Sequence, residues 1–212
     1  MFNRILKSLI IGSLLLFTCP AWAVTRYVSP SGTAAWGDCT SVTTPEDTTA
    51  NCSIATANTH AAAGDTVYLR KGTYTISSAN GYFINPSNSG TDATHRIEFA
   101  NYNNEDVTIQ SSAANTFVIH LVSKNWIYVH GSSGHLLNLL TNDTHLYLTT
   151  GSSHNEIAYI YTNGSYTTPS VSTGSGAIIQ NASNYNWIHN CIFTDHGGQS
   201  TAKNGSFDGD RS

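Results

Sequence analysis

The sequence predicts an all-β fold, a parallel β-solenoid of about 30 residues per coil that follows a short capping helix. The first observation is a period, because apolar residues that open strand-like segments recur every 30 or 31 residues. The second is alternation within the segments, as in Val67-Tyr68-Leu69 and Ile127-Tyr128-Val129, which is typical of strands. Together they predict one row of inward-facing residues, namely Val67, Ile97, Ile127, Ile157 and Ile188.

Residues 1–23 are predicted to be a signal peptide that is removed on export. Arg4 and Lys7 form a positively charged start, Leu9–Phe17 are apolar, and Ala21-Trp22-Ala23 supplies a small-residue cleavage site. The apolar run is shorter than the about 20 residues that span a bilayer, and no later segment is long and apolar enough. We therefore expect a secreted or periplasmic protein without a membrane span.

The rest of the chain is acidic. Without Arg4 and Lys7 it has seven Lys and Arg against thirteen Asp and Glu, a net charge of −6. Phosphate binding needs a basic face, so we expect no nucleic acid partner. Scarce charged residues with many Asn, Ser, Thr, Gly and Tyr are typical of a β-rich extracellular domain with many turns.

Three cysteines follow the leader. Cys39 and Cys52 flank a short stretch rich in Thr, Ser, Pro and Asp, and export favours a disulfide between them. Zinc ligation is the alternative, but the sequence lacks the Cys-x-x-Cys or paired-His spacing of zinc sites. Cys191 lies in an apolar run and is expected to pack as a small hydrophobe.

Residues 24–65 are predicted to hold an N-terminal strand, the disulfide loop and the capping helix. Cys52–Ala63 is Ala-rich and has few β-branched residues, which predicts a short helix that ends at Gly64. A helix at this place would cover the exposed end of the stacked core, as terminal units do in repeat proteins.

Residues 66–212 are predicted to form the coils. Short strands separated by Gly, Asn and Ser bends bury their apolar faces only by stacking in parallel. Asn125, Asn155 and Asn186 recur just before the strands. Asparagine suits a bend with left-handed backbone geometry, and amides in register can bond to one another along the stack. We expect coils that are incomplete at the C-terminus, a monomer if the chain is full length, and association through the open coil otherwise.

Two segments carry a resemblance to a known family. Arg26–Gly32 followed by Ala62–Tyr74 resembles the N-terminal opening of the secreted, pectate-lyase-like family of right-handed parallel β-helix proteins, and Asn186–Asn190 resembles that family's coil repeat. The resemblance implies a right-handed parallel β-helix over nearly all of the mature chain, and a role with carbohydrate. It is specific for the fold rather than for a reaction, because lyases, hydrolases, epimerases and proteins of no known reaction share the opening motif.

Outward residues of the coils predict a sugar-binding platform. If Ile127 points inward, Trp126 points outward, since strand side chains alternate. The predicted register places Trp126 and Trp187 about 10 Å apart, with Glu156 between them and His189 in the next outward row. Two indoles with a carboxylate suit two sugar rings and their hydroxyls. The alternative is that the bends fold over these rings and bury them.

A polar cluster near the end of the sequence predicts a catalytic site. In the lyases of the family, acidic residues hold calcium against a uronate carboxylate, and a Lys or Arg takes the neighbouring proton. The resemblance thus implies Asp195, Asp208 and Asp210 as calcium ligands, and Lys203 or Arg211 as the base. A solvated turn is the alternative, because calcium takes six to eight oxygens.

The predicted function is a polysaccharide lyase that cleaves an acidic glycan by metal-assisted β-elimination. The alternative is a non-catalytic glycan-binding or cell-surface structural protein. The sequence has no Gly-x-Ser-x-Gly segment that would support hydrolysis by a Ser-His-Asp set. It also has no paired-Asp motif that would support hydrolysis by two carboxyl groups.

Overall fold

The computed structural model describes residues 23–164 and 175–194, and this part of the chain is a parallel β-solenoid, which confirms the predicted fold class. It makes about four turns, about 31 residues apart, and has very little helix. A short helix, α1 (Ile54–His60), and a 3₁₀ turn at Tyr102–Asn104 accompany fifteen strands. The strands are β1 (Thr25–Val28), β2 (Thr66–Leu69), β3 (Gly72–Thr75), β4 (Tyr82–Ile84), β5 (Ile97–Asn101), β6 (Val107–Ser111), β7 (Phe117–Val122), β8 (Ile127–His130), β9 (Leu137–Thr141), β10 (Thr144–Thr149), β11 (Glu156–Ala158), β12 (Ile160–Asn163), β13 (Ala177–Ile179), β14 (Trp187–His189) and β15 (Ile192–Thr194).

The strands form three sheets, since each complete coil contributes one strand to each sheet. The long sheet has the order β1-β2-β5-β8-β11-β14, the second sheet β3-β6-β9-β12-β15, and the third sheet β4-β7-β10-β13. Neighbouring strands pair in parallel. A single coil therefore passes through the long, second and third sheets in turn before it returns to the long sheet.

The core lies between the three sheets and consists of aliphatic side chains with few aromatic ones. Alternate residues of β2, β8 and β9 are buried, as the sequence alternation predicts. Each fully buried aliphatic or Phe side chain contributes about 1.5–3 kcal/mol. The largest are Phe99, Leu69, Ile84, Ile97, Ile109, Ile119, Leu121, Ile127, Leu137, Leu139, Leu146 and Leu148.

The register of the long sheet differs from the predicted one by two residues at two places. The observed inward row is Val67, Phe99, Val129, Ile157 and Ile188. The prediction that Ile97 and Ile127 stand in this row was wrong, although those two residues do pair with each other and are buried. A shift of two keeps each side chain on its predicted face, because side chains alternate with a period of two. The shift does change which outward side chains stand next to each other on adjacent strands.

Helix α1 is shorter than the predicted Cys52–Ala63. It begins after Ser53, whose Oγ accepts a hydrogen bond from the Thr56 backbone N–H at 3.1 Å, a typical N-cap. It ends at His60, and Ala61 has already left helical geometry. The buried Ala57 and Ala61 pack with the core, so small side chains let the helix lie close to β1 and β4.

The predicted disulfide joins Cys39 to Cys52, with 5.5 Å between their Cα atoms. Both residues are fully buried, and backbone hydrogen bonds tie each of them to Tyr27 of β1 at 3.0 and 2.9 Å. Cys191 is a free thiol packed against the core, as predicted, and burial raises its pKa. The disulfide therefore fastens the loop before α1 to the first strand of the long sheet.

The predicted asparagine ladder is confirmed between two of its three members. The buried Asn155 donates from Nδ2 to Asn186 Oδ1 at 2.9 Å, whereas Asn125 Oδ1 accepts from the Ser153 backbone N–H at 2.9 Å. The prediction that these asparagines take the left-handed conformation was wrong. That conformation falls on a neighbouring residue in each bend, namely Trp126 (φ 58°), His154 (φ 58°) and Tyr185 (φ 56°).

The last described strands of the three sheets are β13, β14 and β15. Exposed large hydrophobic residues of the described chain concentrate there, including Trp187, Ile192 and Phe193. Association through this coil stays a prediction. Within residues 23–164 and 175–194, no helix is long and apolar enough to cross a membrane.

Candidate ligand-binding face of the long sheet

The outward face of the long sheet carries the polar side chains of the candidate site in two parallel rows. Adjacent strands lie about 4.8 Å apart, so residues of one row stand at that spacing along the stack. The first row holds the carboxyl groups and two aromatic rings, whereas the second row holds a tyrosine, two alanines and the two imidazole groups. The first row is Thr66, Glu98, Tyr128, Glu156 and Trp187, and the second is Tyr68, Ala100, His130, Ala158 and His189.

Trp126 does not belong to either row, which corrects the predicted platform. Its left-handed backbone places it in the bend before β8, where its ring stacks on His154 with 4.4 Å between the ring centroids. His154 stacks in turn on Tyr185 at 5.1 Å. We call these three residues the bend ladder. Trp126 and Trp187 thus do not flank Glu156, because the register places Tyr128 where Trp126 was expected.

Glu156 is the centre of the first row. Arg96 Nη1 donates to its Oε2 at 2.5 Å, and His189 Nε2 donates to its Oε1 at 3.0 Å. Burial works to raise the pKa of this carboxyl, but the hydrogen bonds and charges of His189 and Arg96 outweigh it and hold the pKa below its ordinary value. Glu156 is therefore a carboxylate at neutral pH.

Glu98 forms a second and similar centre. His130 Nε2 donates to its Oε1 at 2.7 Å, and Thr66 Oγ1 donates to its Oε2 at 3.0 Å. The bond from His130 is the main reason that the pKa of Glu98 lies below its ordinary value, in spite of partial burial. One strand, β8, lies between Glu98 and Glu156, so their backbones are two strand spacings, about 9.6 Å, apart.

The two histidines differ in their second nitrogen. His130 Nδ1 lies 2.6 Å from the Gly131 carbonyl oxygen, so both of its ring nitrogens face acceptors. His189 Nδ1 instead lies 3.1 Å from the amide nitrogen of Asn190, which can only donate to it. Both rings are therefore held through both of their nitrogens beside a carboxylate.

Aromatic rings fill the space between these groups. The Arg96 guanidinium lies over the Tyr128 ring at 5.5 Å, and Tyr128 stacks on His130 at 4.1 Å. Trp187 stacks on His189 at 3.9 Å. Each of these stacks uses one face of a ring and fixes the orientation of the polar group beside it. The side chains of the face are therefore held in place before any ligand binds.

Two rings of the face remain open to solvent. Trp187 is 58% exposed and Tyr185 is 80% exposed, although each has one ring face stacked on a histidine. Trp126 is only partly exposed, and the backbone of Gly90 lies so close to it that a Cβ there would stand 2.8 Å from the Trp126 Cβ. Stacking on a ligand is thus open to Trp187 and Tyr185.

The structure brings together three of the four predicted substrate-binding residues: Glu156, Trp187 and His189. It adds Arg96, Glu98, Tyr128, His130 and Tyr185, which the sequence reasoning did not select. Arg96, Glu98 and Tyr128 each stand next to an inward-facing residue, so strand alternation is the signal that identifies them as outward. Their mutual contacts depend on the two-residue shifts in register, which the period did not reveal.

The predicted chemical groups lie elsewhere in the chain. Asp195, Asp208 and Asp210 as calcium ligands, and Lys203 and Arg211 as bases, fall outside the described residues. Within residues 23–164 and 175–194, no three His, Cys, Asp or Glu side chains come together as a metal-binding set.

Comparison of the chain with protein-family models, with curated proteins and with solved structures finds no match. The assignment of a function accordingly rests on the geometry of the face. That geometry combines fixed hydrogen-bond acceptors with exposed aromatic rings on a parallel sheet.

Proposed function

We propose that the protein is exported and binds a glycan along the outward face of the long sheet. The observation that carries the proposal is the Glu156 carboxylate, held by Arg96 and His189 directly beside the exposed Trp187 ring. A sugar has an apolar C–H face that stacks on an aromatic ring and hydroxyl groups that donate to a carboxylate. Glu156 and Trp187 present both kinds of partner at neighbouring positions.

The dimensions of the face support binding of an extended chain rather than of a single sugar. Glu98 and Glu156 repeat the same carboxylate at about 9.6 Å along the stack. That distance is comparable to the length of two sugar units in an extended glycan. We expect the ligand to run across the strands, with Trp187 and Tyr185 near one end of the site and Glu98 near the other.

Export is part of the proposal and is supported by the sequence and by the disulfide. Residues 1–23 have the composition of a signal peptide, and the Cys39–Cys52 disulfide is typical of an oxidising compartment. The resemblance of the N-terminal segments to secreted pectate-lyase-like proteins points the same way. A parallel solenoid outside the cytoplasm is a suitable scaffold for a glycan face.

Lyase activity stays a prediction, because its proposed residues, Asp195, Lys203, Asp208, Asp210 and Arg211, lie outside the described residues. It is tested by incubation with polygalacturonate, alginate and chondroitin in the presence of calcium. Ultraviolet absorbance of unsaturated products would show the reaction. Absence of products on all three glycans would contradict lyase action and leave the binding proposal intact.

The binding proposal is tested by calorimetric titration of the full chain with soluble oligosaccharides. Trp187→Ala should weaken binding about tenfold, since a stacked ring contributes about 0.5–1.5 kcal/mol in addition to its buried area. Tyr82→Ala is the matched control, because Tyr82 is a 44% exposed ring on the third sheet. Equal loss in both variants, or no binding by the wild type to any of the oligosaccharides, would overturn the proposal.

A further inference from the structure

We infer that the glycan bound by this face is uncharged rather than acidic. This inference rests on the proposed function and specifies its ligand class. It follows from how the charged groups of the face are already paired with one another.

The fixed charges of the face are the Arg96 guanidinium and the carboxylates of Glu98 and Glu156. Arg96 is paired with Glu156, and His130 is hydrogen-bonded to Glu98. His189 is hydrogen-bonded to the other oxygen of Glu156. A ligand carboxylate that approached any of these three donors would therefore also approach Glu98 or Glu156.

An acidic glycan would meet an unfavourable environment on this face. Its carboxylates would approach Glu98 and Glu156, and like charges that face each other across an interface lower affinity. Arg96 already donates through Nη1 to the Glu156 carboxylate at 2.5 Å, so a glycan carboxylate that approached its remaining N–H groups would also stand close to that carboxylate. Since Arg96 also lies over the Tyr128 ring, it is not free to turn toward the ligand without losing that contact.

Lys124 is the one further cation in the bend before β8. Its ammonium group donates to the Ser87 carbonyl at 2.6 Å and is not held by a carboxylate in the described chain. It lies at the Trp126 end of the bend ladder, away from the exposed Trp187 ring. An acidic ligand that used Lys124 would therefore not need Trp187.

The hydroxyl groups of an uncharged glycan find suitable acceptors. A carboxylate oxygen has two lone pairs. Each oxygen of Glu98 and Glu156 accepts one hydrogen bond from a described side chain, from Thr66, His130, Arg96 or His189. One lone pair on each oxygen remains for a ligand hydroxyl, and the lowered pKa values keep these groups ionised as acceptors.

The test compares oligosaccharides that share a backbone and differ only in charge. Suitable pairs are mannan and mannuronate hexasaccharides with the same linkage, cellohexaose and its C6-oxidised form, and oligogalacturonate with and without full methyl esterification. Titrations are done at low and at high sodium chloride concentration. We expect an uncharged member to bind more tightly than its acidic counterpart, with an affinity that salt does not change, because salt screens only charged interactions.

Glu156→Gln is expected to raise the affinity for acidic glycans and to lower the affinity for uncharged ones. Removal of the carboxylate charge releases Arg96 as an unpaired cation, so acidic hexasaccharides should bind about fivefold more tightly than they do to the wild type. Uncharged hexasaccharides should bind more weakly, because an amide oxygen is a poorer acceptor. Glu98→Gln provides a second variant with the same expectation for the His130 end, and the exposed Glu46→Gln in the disulfide loop is the control.

The outcomes separate the two proposals. Absence of binding to every member of every pair overturns the proposed function and with it this inference. Tighter binding of an acidic member by the wild type, lost in Trp187→Ala, overturns the inference and leaves glycan binding in place. Tighter acidic binding that is lost in Lys124→Ala and kept in Trp187→Ala overturns both, since it places the ligand away from the face.

Discussion

Arg96 and Glu156 are sixty residues apart in the chain and form an ion pair of 2.5 Å on the outward face of the long sheet. The guanidinium extends past Tyr128 on the intervening strand to reach the carboxylate, and it lies over that tyrosine ring. The pair thus connects three successive coils. Stability and charge of the face are coupled through it, because loss of either partner leaves the other without its counter-charge.

The buried asparagine of the fourth coil is predicted to be important for stability. Asn155 donates to the Lys124 carbonyl and to Asn186 Oδ1, and its Oδ1 accepts from the Ile127 backbone N–H, all at 2.9 Å. Asn155→Ala should lower the free energy of unfolding by about 3 kcal/mol, because buried backbone groups lose their partners. Urea unfolding followed by circular dichroism measures this.

The control for this variant is Asn184→Ala, since Asn184 is exposed in the following bend and its side chain bonds only locally, to the Ala182 carbonyl. It should change stability by less than about 0.5 kcal/mol. Equal effects of the two substitutions would contradict a role for the ladder.

Reduction of the disulfide is predicted to destabilise the N-terminal region. The bond closes a loop of 13 residues, for which chain entropy gives about 3 kcal/mol. A reductant should therefore lower the midpoint of thermal unfolding of the wild type and of Cys191→Ala. The double variant Cys39→Ala/Cys52→Ala should start from the lower midpoint and not respond to the reductant. A change in the unfolding midpoint of the double variant on addition of the reductant would refute the assignment of the disulfide to Cys39 and Cys52.

Acid is predicted to destabilise the protein through Glu98. Because the pKa of Glu98 is lower in the folded protein than the ordinary value of 4.5, its ionised form stabilises the fold above that pH. This contribution is lost as the pH falls through the lower folded value. Glu98→Gln should therefore flatten the dependence of stability on pH below about 4.5, measured by urea unfolding at several pH values.

Glu46→Gln is the comparison for this experiment, because Glu46 is exposed in the disulfide loop and belongs to neither outward row of the long sheet. It should leave the acid dependence close to that of the wild type. If the slope of stability against pH in Glu98→Gln equalled that of the wild type, the hydrogen bonds from His130 and Thr66 would not hold the carboxyl in its charged form.

One substitution in a bend is predicted to stabilise. Thr150 is exposed and has a φ of 56°, a conformation that β-branched residues rarely adopt. Thr150→Asn should raise the free energy of unfolding by about 0.5–1 kcal/mol, since asparagine tolerates this geometry better. Thr73→Asn in strand β3 should have the opposite sign, because asparagine is unfavourable in a strand. Destabilisation by Thr150→Asn would contradict the assigned backbone conformation.

Much of this architecture is predictable from the chain itself. The alternation around Val67, Ile127 and Ile157 identifies strands and their inward side chains, because the pleat of a strand allows only two faces. The disulfide follows from an export leader and two nearby cysteines. Glu156, Trp187 and His189 follow from the same alternation, since they stand on the outward face next to the inward-facing Ile157 and Ile188.

What the tertiary structure decides is which outward residues become neighbours. The bends differ in length between coils, and left-handed residues such as Trp126 change the direction of the chain in a way that a constant period does not show. Pairing can therefore shift by two residues without moving any side chain to the wrong face. That shift brings Tyr128 beside Glu156 and removes Trp126 to the bend ladder. Inward positions are local properties of a strand, whereas the contacts of the ligand-binding face depend on how successive coils close upon one another.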